Sequence, residues 1–214
     1  MLRRMTSTGT VFGWLVMTVG TMAAFWSYEA TPGEKAHVAA SAPATSSVIL
    51  TPGRKSLLVF IHPKCACTKA TLSELRTIWN GLTPEITPAC TFILRQPAQP
   101  GNAWRETDIE RACREFIGTQ IIDDYAGAEA QRFGVTTSGT CLLYDQEGQL
   151  LFAGGITASR GHIGPAASQE VLREQLASSS GAPIVGNAQT HSVDYRCPVF
   201  GCPLFSPDDK GIAK

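Results

Sequence analysis

A chain of 214 residues has room for one well-packed domain with accessory segments, and too little for two ordinary domains joined by a linker. Lys+Arg and Asp+Glu each total 18, so the formal charge is zero and neither a nucleic-acid groove nor a polyanion-binding surface is indicated. Seven cysteines exceed ordinary cytosolic usage, yet they are too few and too unevenly spaced for a small disulfide scaffold, and their odd number leaves at least one thiol without an intramolecular partner.

The chain begins with a short basic stretch over residues 1–9, opening Met1-Leu2-Arg3-Arg4, followed by an uncharged apolar run over residues 10–26. That run lies near the lower limit of about 17–25 residues for a spanning helix and exceeds the core of about 7–15 residues in a signal peptide. Bulky Phe25-Trp26-Ser27-Tyr28 stands where a signal peptidase wants small residues, which favours an uncleaved transmembrane anchor over a cleaved signal. Arginines on the N-terminal side keep that end cytoplasmic and send the rest across, to an oxidising periplasmic or extracellular compartment. Residues 27–55 are rich in Ala, Ser, Thr, Pro and Gly without sustained apolar periodicity and read as a flexible linker.

The domain expected over residues 56–180 opens with Ser56-Leu57-Leu58-Val59-Phe60-Ile61, an apolar run too short for a helix and suited to a strand buried on both faces. His62-Pro63-Lys64-Cys65-Ala66-Cys67-Thr68 follows, then a helix from Lys69 to about Trp79 with Leu72, Leu75 and Trp79 in register. A second strand is expected at Ala89 to Leu94, a helix from Trp104 to Phe116, a short strand at Ile121 to Asp123 and a small helix around Ala128 to Phe133. Thr140 to Tyr144 and Gln149 to Ala153 flank the turn Asp145-Gln146-Glu147-Gly148 and predict a β-hairpin, with a last helix from about Ser168 to Ser178. Cys90, Cys113 and Cys141 fall among apolar residues, as core thiols do. In the tail, residues 181–214, Cys197 and Cys202 frame a loop punctuated by proline and glycine. The four intervening residues allow a local structural disulfide, an exchange of electrons with Cys65/Cys67, or further soft metal ligands.

A buried strand entering a cysteine turn at a helix start, a later Gly134-Val135-Thr136-Thr137-Ser138-Gly139-Thr140 segment and a hairpin together resemble the thioredoxin superfamily over roughly Ser56 to Ala177. More narrowly, the cysteine turn together with Gly154-Gly155-Ile156-Thr157-Ala158-Ser159-Arg160-Gly161-His162 is similar to membrane-anchored thioredoxin-like proteins labelled RedB. The resemblance implies an α/β fold of thioredoxin type, a central mixed sheet flanked by helices, preceded by an N-terminal transmembrane helix. Two departures stand out. Only Ala66 separates the cysteines where most members have two residues, and Gly139 stands where most have a cis-proline, altering the substrate-backbone platform expected at Ser138, Gly139 and Thr140.

Disulfide exchange needs a thiolate, and a helix N-terminus with Lys64 and Lys69 nearby favours one at Cys65. Cys67 is then the resolving thiol. Side chains two apart on a helix diverge by about 200°, so this pair needs non-helical geometry and should make an oxidant or isomerase rather than a reductant. The leading reading is a thiol-disulfide oxidoreductase or isomerase acting on thiols or disulfides of exported proteins, with no cofactor. The alternative is a Cu(I)-handling protein with Cys65, Cys67 and His162 as ligands, His62 being a second candidate imidazole and Arg160 a candidate substrate contact. Nucleic acid is not an expected partner, and the membrane is one through the N-terminal helix.

Overall fold

The computed structural model describes residues 2–98, 104, 106–116, 118–178 and 197–205. Helix α1 (Leu2–Ala30) leads into the domain. Its Thr8–Ala30 portion is long and apolar enough to cross a membrane by length and composition, and none of it is buried against the rest of the chain. The domain then runs β1 (Ser56–Ile61), α2 (Cys67–Asn80), β2 (Ala89–Gln96), α3 (Asp108–Arg114), β3 (Thr119–Tyr125), α4 (Ala128–Arg132), β4 (Thr140–Tyr144), β5 (Leu150–Gly154) and α5 (Ala167–Ala177).

These strands form one sheet in the order β3-β2-β1-β4-β5. β1 lies parallel to β2, and β2 parallel to β3, through helical crossovers, whereas β4 returns antiparallel to β1 and pairs with β5 as a hairpin. This mixed sheet with flanking helices is the thioredoxin-like arrangement expected. Every residue of β1 is buried, which explains a continuous apolar run in place of alternation.

Alternate residues of β1 serve two cores. Leu57, Val59 and Ile61 pack with Leu72, Leu75 and Ile78 of α2, Ile109 and Cys113 of α3, and Leu172 and Leu176 of α5. Leu58 and Phe60 face the other side, where the only described helix is the short α4; Val38, Val48 and Leu204 complete that core. The expected flexible linker is therefore corrected. From residue 33 onward it is laid against the sheet: the Gly33 amide donates to the Val199 carbonyl, the His37 amide to that of Gly134 and the Leu150 amide to that of Ala40. Ser46 and Ser47 donate to the carboxylate of buried Glu129. A sheet face with one small helix on it leaves apolar surface that this strap covers.

Candidate active site

β1 delivers the chain to the cysteine turn. The Cys65 amide donates to the His62 carbonyl at 3.0 Å and the Thr68 amide to the Cys65 carbonyl at 3.1 Å, which winds the turn into α2. Ala66 occupies the N-cap with no side-chain cap, so no capping side chain competes with the sulfurs at the positive end of this 14-residue helix. The turn is braced from the opposite loop, where the Ser138 hydroxyl accepts from the His62 amide at 2.8 Å and lies 2.9 Å from the Thr68 hydroxyl.

The tail completes the site. The Cys202 sulfur lies 2.7 Å from that of Cys65, its amide donates to the Cys65 sulfur at 3.4 Å, and the sulfurs of Cys65, Cys67 and Cys202 all lie within 4.8 Å of one another. This placement depends on a strand-like pairing beside the active-site turn. The Ser138 amide donates to the Cys202 carbonyl, the Leu204 amide donates to the Thr136 carbonyl, and Thr137 bridges Pro203 in antiparallel sense. Cys65 beneath this segment is 1% exposed, whereas Cys67 and Cys202 are half-buried.

The three thiols are electrostatically unlike. Burial pushes the Cys65 thiol up, but hydrogen bonds from the Cys202 thiol and amide and from Thr68 outweigh it, and the net shift is down. Cys67 is raised by burial and by the negative charge on Cys65, partly offset by Arg160. Cys202 is pushed up to about 12 by burial and by its role as donor to Cys65, again partly offset by Arg160. Cys65 is therefore the most readily ionised thiol of the three, and the other two give up their protons less readily than a free cysteine.

Arg160 holds the site from the side. Its guanidinium donates to the Gly201 carbonyl and, at 3.2 Å, to the Tyr28 carbonyl, and lies 4.8 Å from the Tyr28 ring centre. Its backbone amide donates to the Glu29 carbonyl. One side chain thus joins the end of α1 to the tail loop.

Several sequence expectations need correction. Cys197 and Cys202 are not joined: Cys202 is spent on Cys65, while the Cys197 amide donates to the Ala153 carbonyl at the end of β5. His162 is exposed and stands outside the thiol group, so the set Cys65, Cys67 and His162 is not assembled; the third soft donor is Cys202. His62 is engaged elsewhere, its Nδ1 accepting from the Lys64 amide and its ring 4.9 Å from that of Trp104. The lysines are engaged elsewhere: Lys64 lies over Trp104 and Lys69 is 4.0 Å from Asp108, while the cation that acts on Cys67 and Cys202 is Arg160.

At the expected platform, the Ser138 backbone meets Cys202 and the Gly139 amide donates to the Phe60 carbonyl, while the Thr140 hydroxyl donates to the Thr137 carbonyl within its own loop. No peptide bond among the described residues is cis. Thr68 was not singled out from sequence, and no periodicity points to it.

No protein-family model matches the chain, and no curated protein matches it. Among solved structures, a hypothetical protein of Sinorhizobium meliloti 1021 aligns with 83% of this chain and 96% of its own at 19% identity, with a TM-score of 0.53. An uncharacterized conserved protein of Geobacillus kaustophilus aligns with 83% and 93% at 17% identity, with the same score. A secreted Mycobacterium tuberculosis disulfide oxidoreductase aligns with 59% and 82% at 16% identity, with a score of 0.40, too low to bear on this chain. The likeness to the first two proteins is one of fold, extending over nearly the whole of each.

Proposed function

We propose that this chain is a thiol-disulfide oxidoreductase or isomerase with Cys65 as its nucleophile. The observation that carries the reading is the Cys65 thiol itself, at the start of α2, held below the ordinary thiol range by donors while its two neighbours are held above it. A thiolate at Cys65 attacks one sulfur of a client disulfide, that S–S bond breaks, and the other client sulfur leaves with the electron pair and takes up a proton. A second thiol of the protein then attacks Cys65 sulfur, releasing the reduced client and leaving a protein disulfide; the steps reversed oxidise a client dithiol. On the sequence reading Cys67 is this resolving thiol, completing a CxC pair.

The reading extends to location. α1 serves as a single-pass anchor, as in the membrane-anchored thioredoxin-like proteins that the cysteine turn resembles, with the domain on the non-cytoplasmic side and exported proteins as its clients. Thiol trapping of the full chain across a glutathione series tests the chemistry: a reversible two-electron transition that disappears in Cys65→Ser is expected, and unchanged exchange in that variant overturns it.

A second reading rests on the three sulfurs grouped within 4.8 Å, a donor set suited to a soft monovalent ion such as Cu(I), with Cys202 in the place first given to His162. Cu(I) titration against a competing chelator decides it. Affinity lost in Cys202→Ser and retained in His162→Ala favours a trithiolate site, and no binding removes that reading.

A further inference from the structure

The tail segment carrying Cys202 is built into the site. Gly154 and Gly155, at the end of β5, lie so close beneath it that a Cβ on the first would come within 2.5 Å of the Cys197 carbonyl oxygen and on the second within 2.9 Å of Val199 Cα. Gly201 faces the Ser138 carbonyl, where a Cβ would stand only 1.9 Å from the oxygen. Contacts this close admit no side chain. The tail carbonyl and amide at Cys202 and Leu204 take up the Ser138 amide and the Thr136 carbonyl, the same backbone groups that an extended client would pair with beside Cys65.

Two thiols compete to resolve a mixed disulfide at Cys65. Cys67 is separated from it by one residue in a turn whose hydrogen bonds are already helical, Thr68 amide to Cys65 carbonyl and Lys69 amide to Ala66 carbonyl. The Cys67 sulfur lies within 4.8 Å of that of Cys65, but a bond across the single residue Ala66 has to form inside a turn closed by those two hydrogen bonds, with Cys67 already the first residue of α2. Cys202 lies outside that turn: it comes from the opposite side, with its sulfur 2.7 Å from that of Cys65.

Resting on the oxidoreductase reading, we propose that Cys202 is the resolving thiol and that the tail segment is an internal occupant of the client groove. A client disulfide captured by Cys65 leaves one client sulfur bonded to Cys65. With the Cys65 sulfur uncharged in the mixed disulfide, the part of the Cys202 shift that came from Cys65 lapses. Cys202 gives its proton to solvent and attacks the Cys65 sulfur, the mixed disulfide breaks, and the client sulfur departs with the electron pair and is protonated. The protein is then oxidised by two electrons as Cys65–Cys202, the client is reduced by two, and the tail is covalently closed over the groove until an external dithiol reduces it. In the reduced state the same tail must swing off before a client can reach the 1%-exposed Cys65.

The test uses the full chain in detergent, treated with oxidised glutathione as the disulfide probe, with linked cysteines identified by non-reducing peptide mapping. The expected result is a Cys65–Cys202 linkage that persists in Cys67→Ser. Cys202→Ser should accumulate glutathione on Cys65, with its release slowed by about tenfold or more, the effect of losing a tethered intramolecular nucleophile that returns to the groove. Gly201→Val, which displaces the tail, should speed labelling of Cys65 by a bulky maleimide. A Cys65–Cys67 linkage with Cys202→Ser behaving as the unaltered chain overturns this inference and leaves the oxidoreductase reading standing. No glutathione on Cys65 in either serine variant overturns both. Unchanged labelling in Gly201→Val overturns the part in which the tail occupies the groove.

Discussion

The sulfur of Cys65 and the sulfur of Cys202 lie 2.7 Å apart although 137 residues separate them in sequence, and the amide of Cys202 points at the same sulfur. That approach, held by the tail's pairing with Thr136 and Ser138, contributes to lowering the Cys65 pKa and to raising that of Cys202.

Cys65 should be indispensable. Cys65→Ser removes the attacking sulfur while keeping its volume nearly unchanged, so exchange with a peptide disulfide should fall to the uncatalysed rate while the urea midpoint stays close to that of the unaltered chain. Stopped-flow measurement of peptide thiol release alongside a urea titration checks both.

The ionisation of Cys65 should depend on the tail. Its pKa lies below the ordinary thiol value because donors stabilise the thiolate against the burial that opposes it. A depressed pKa means that the thiolate survives to lower pH, so thiolate ultraviolet absorbance in the reduced chain should persist below the pH at which a free cysteine loses it. Cys202→Ala removes the nearest donor and should move that transition to higher pH; no movement would show that helix amides and Thr68 suffice.

Arg160→Ala should act in two ways. Losing the charge-assisted bonds to Gly201 and Tyr28 should destabilise the fold by about 1–3 kcal/mol, a typical cost for hydrogen bonds to a charged group. Cys67 and Cys202, whose thiols Arg160 draws down, should also become harder to ionise, slowing the resolving step several-fold. Arg160→Lys should restore the charge effect better than the stability, since an ammonium cannot reproduce the fork.

Glu129 should control how firmly the strap is held. Glu129→Gln weakens the acceptor for Ser46 and Ser47 and should cost about 2 kcal/mol and expose residues 43–50 to limited proteolysis. Burial pushes the Glu129 carboxyl up, but the serine hydrogen bonds outweigh it and the net shift is down. A carboxyl with a depressed folded-state pKa contributes stability above its unfolded pKa and loses it as pH falls through the folded value. The stability gap between the unaltered chain and Glu129→Gln should therefore be full near neutrality and shrink on the acid side of the ordinary carboxylate range. A gap independent of pH would contradict this account.

Much of the fold was legible because its signals are local. β1 and β4 fall on the expected residues, and the last helix is displaced by one residue. Apolar runs bounded by turn residues are enough to place such elements. α3 begins at Asp108 rather than Trp104 because Thr107 accepts from the Glu110 amide and caps it there, a stronger start signal than the apolar spacing that reaches back to Trp104. The strap escaped notice because Val38 and Val48 are single buried residues in a polar stretch and leave no period. In the site, Cys65 and Cys67 were visible from their place at a strand end. The place of Cys202 was not, since a contact spanning 137 residues leaves no local trace and its nearby partner Cys197 suggested a shorter bridge.

Arg160 ties the last turn of α1 to the loop bearing Cys202, and the strap that follows is fastened along the sheet. With α1 in a bilayer, such a protein has no leash to play out. On the proposed topology its thiols would work at one height above the lipid, and a client would have to be presented at that height to be processed, so that proximity to the membrane surface would select among substrates before any side chain does.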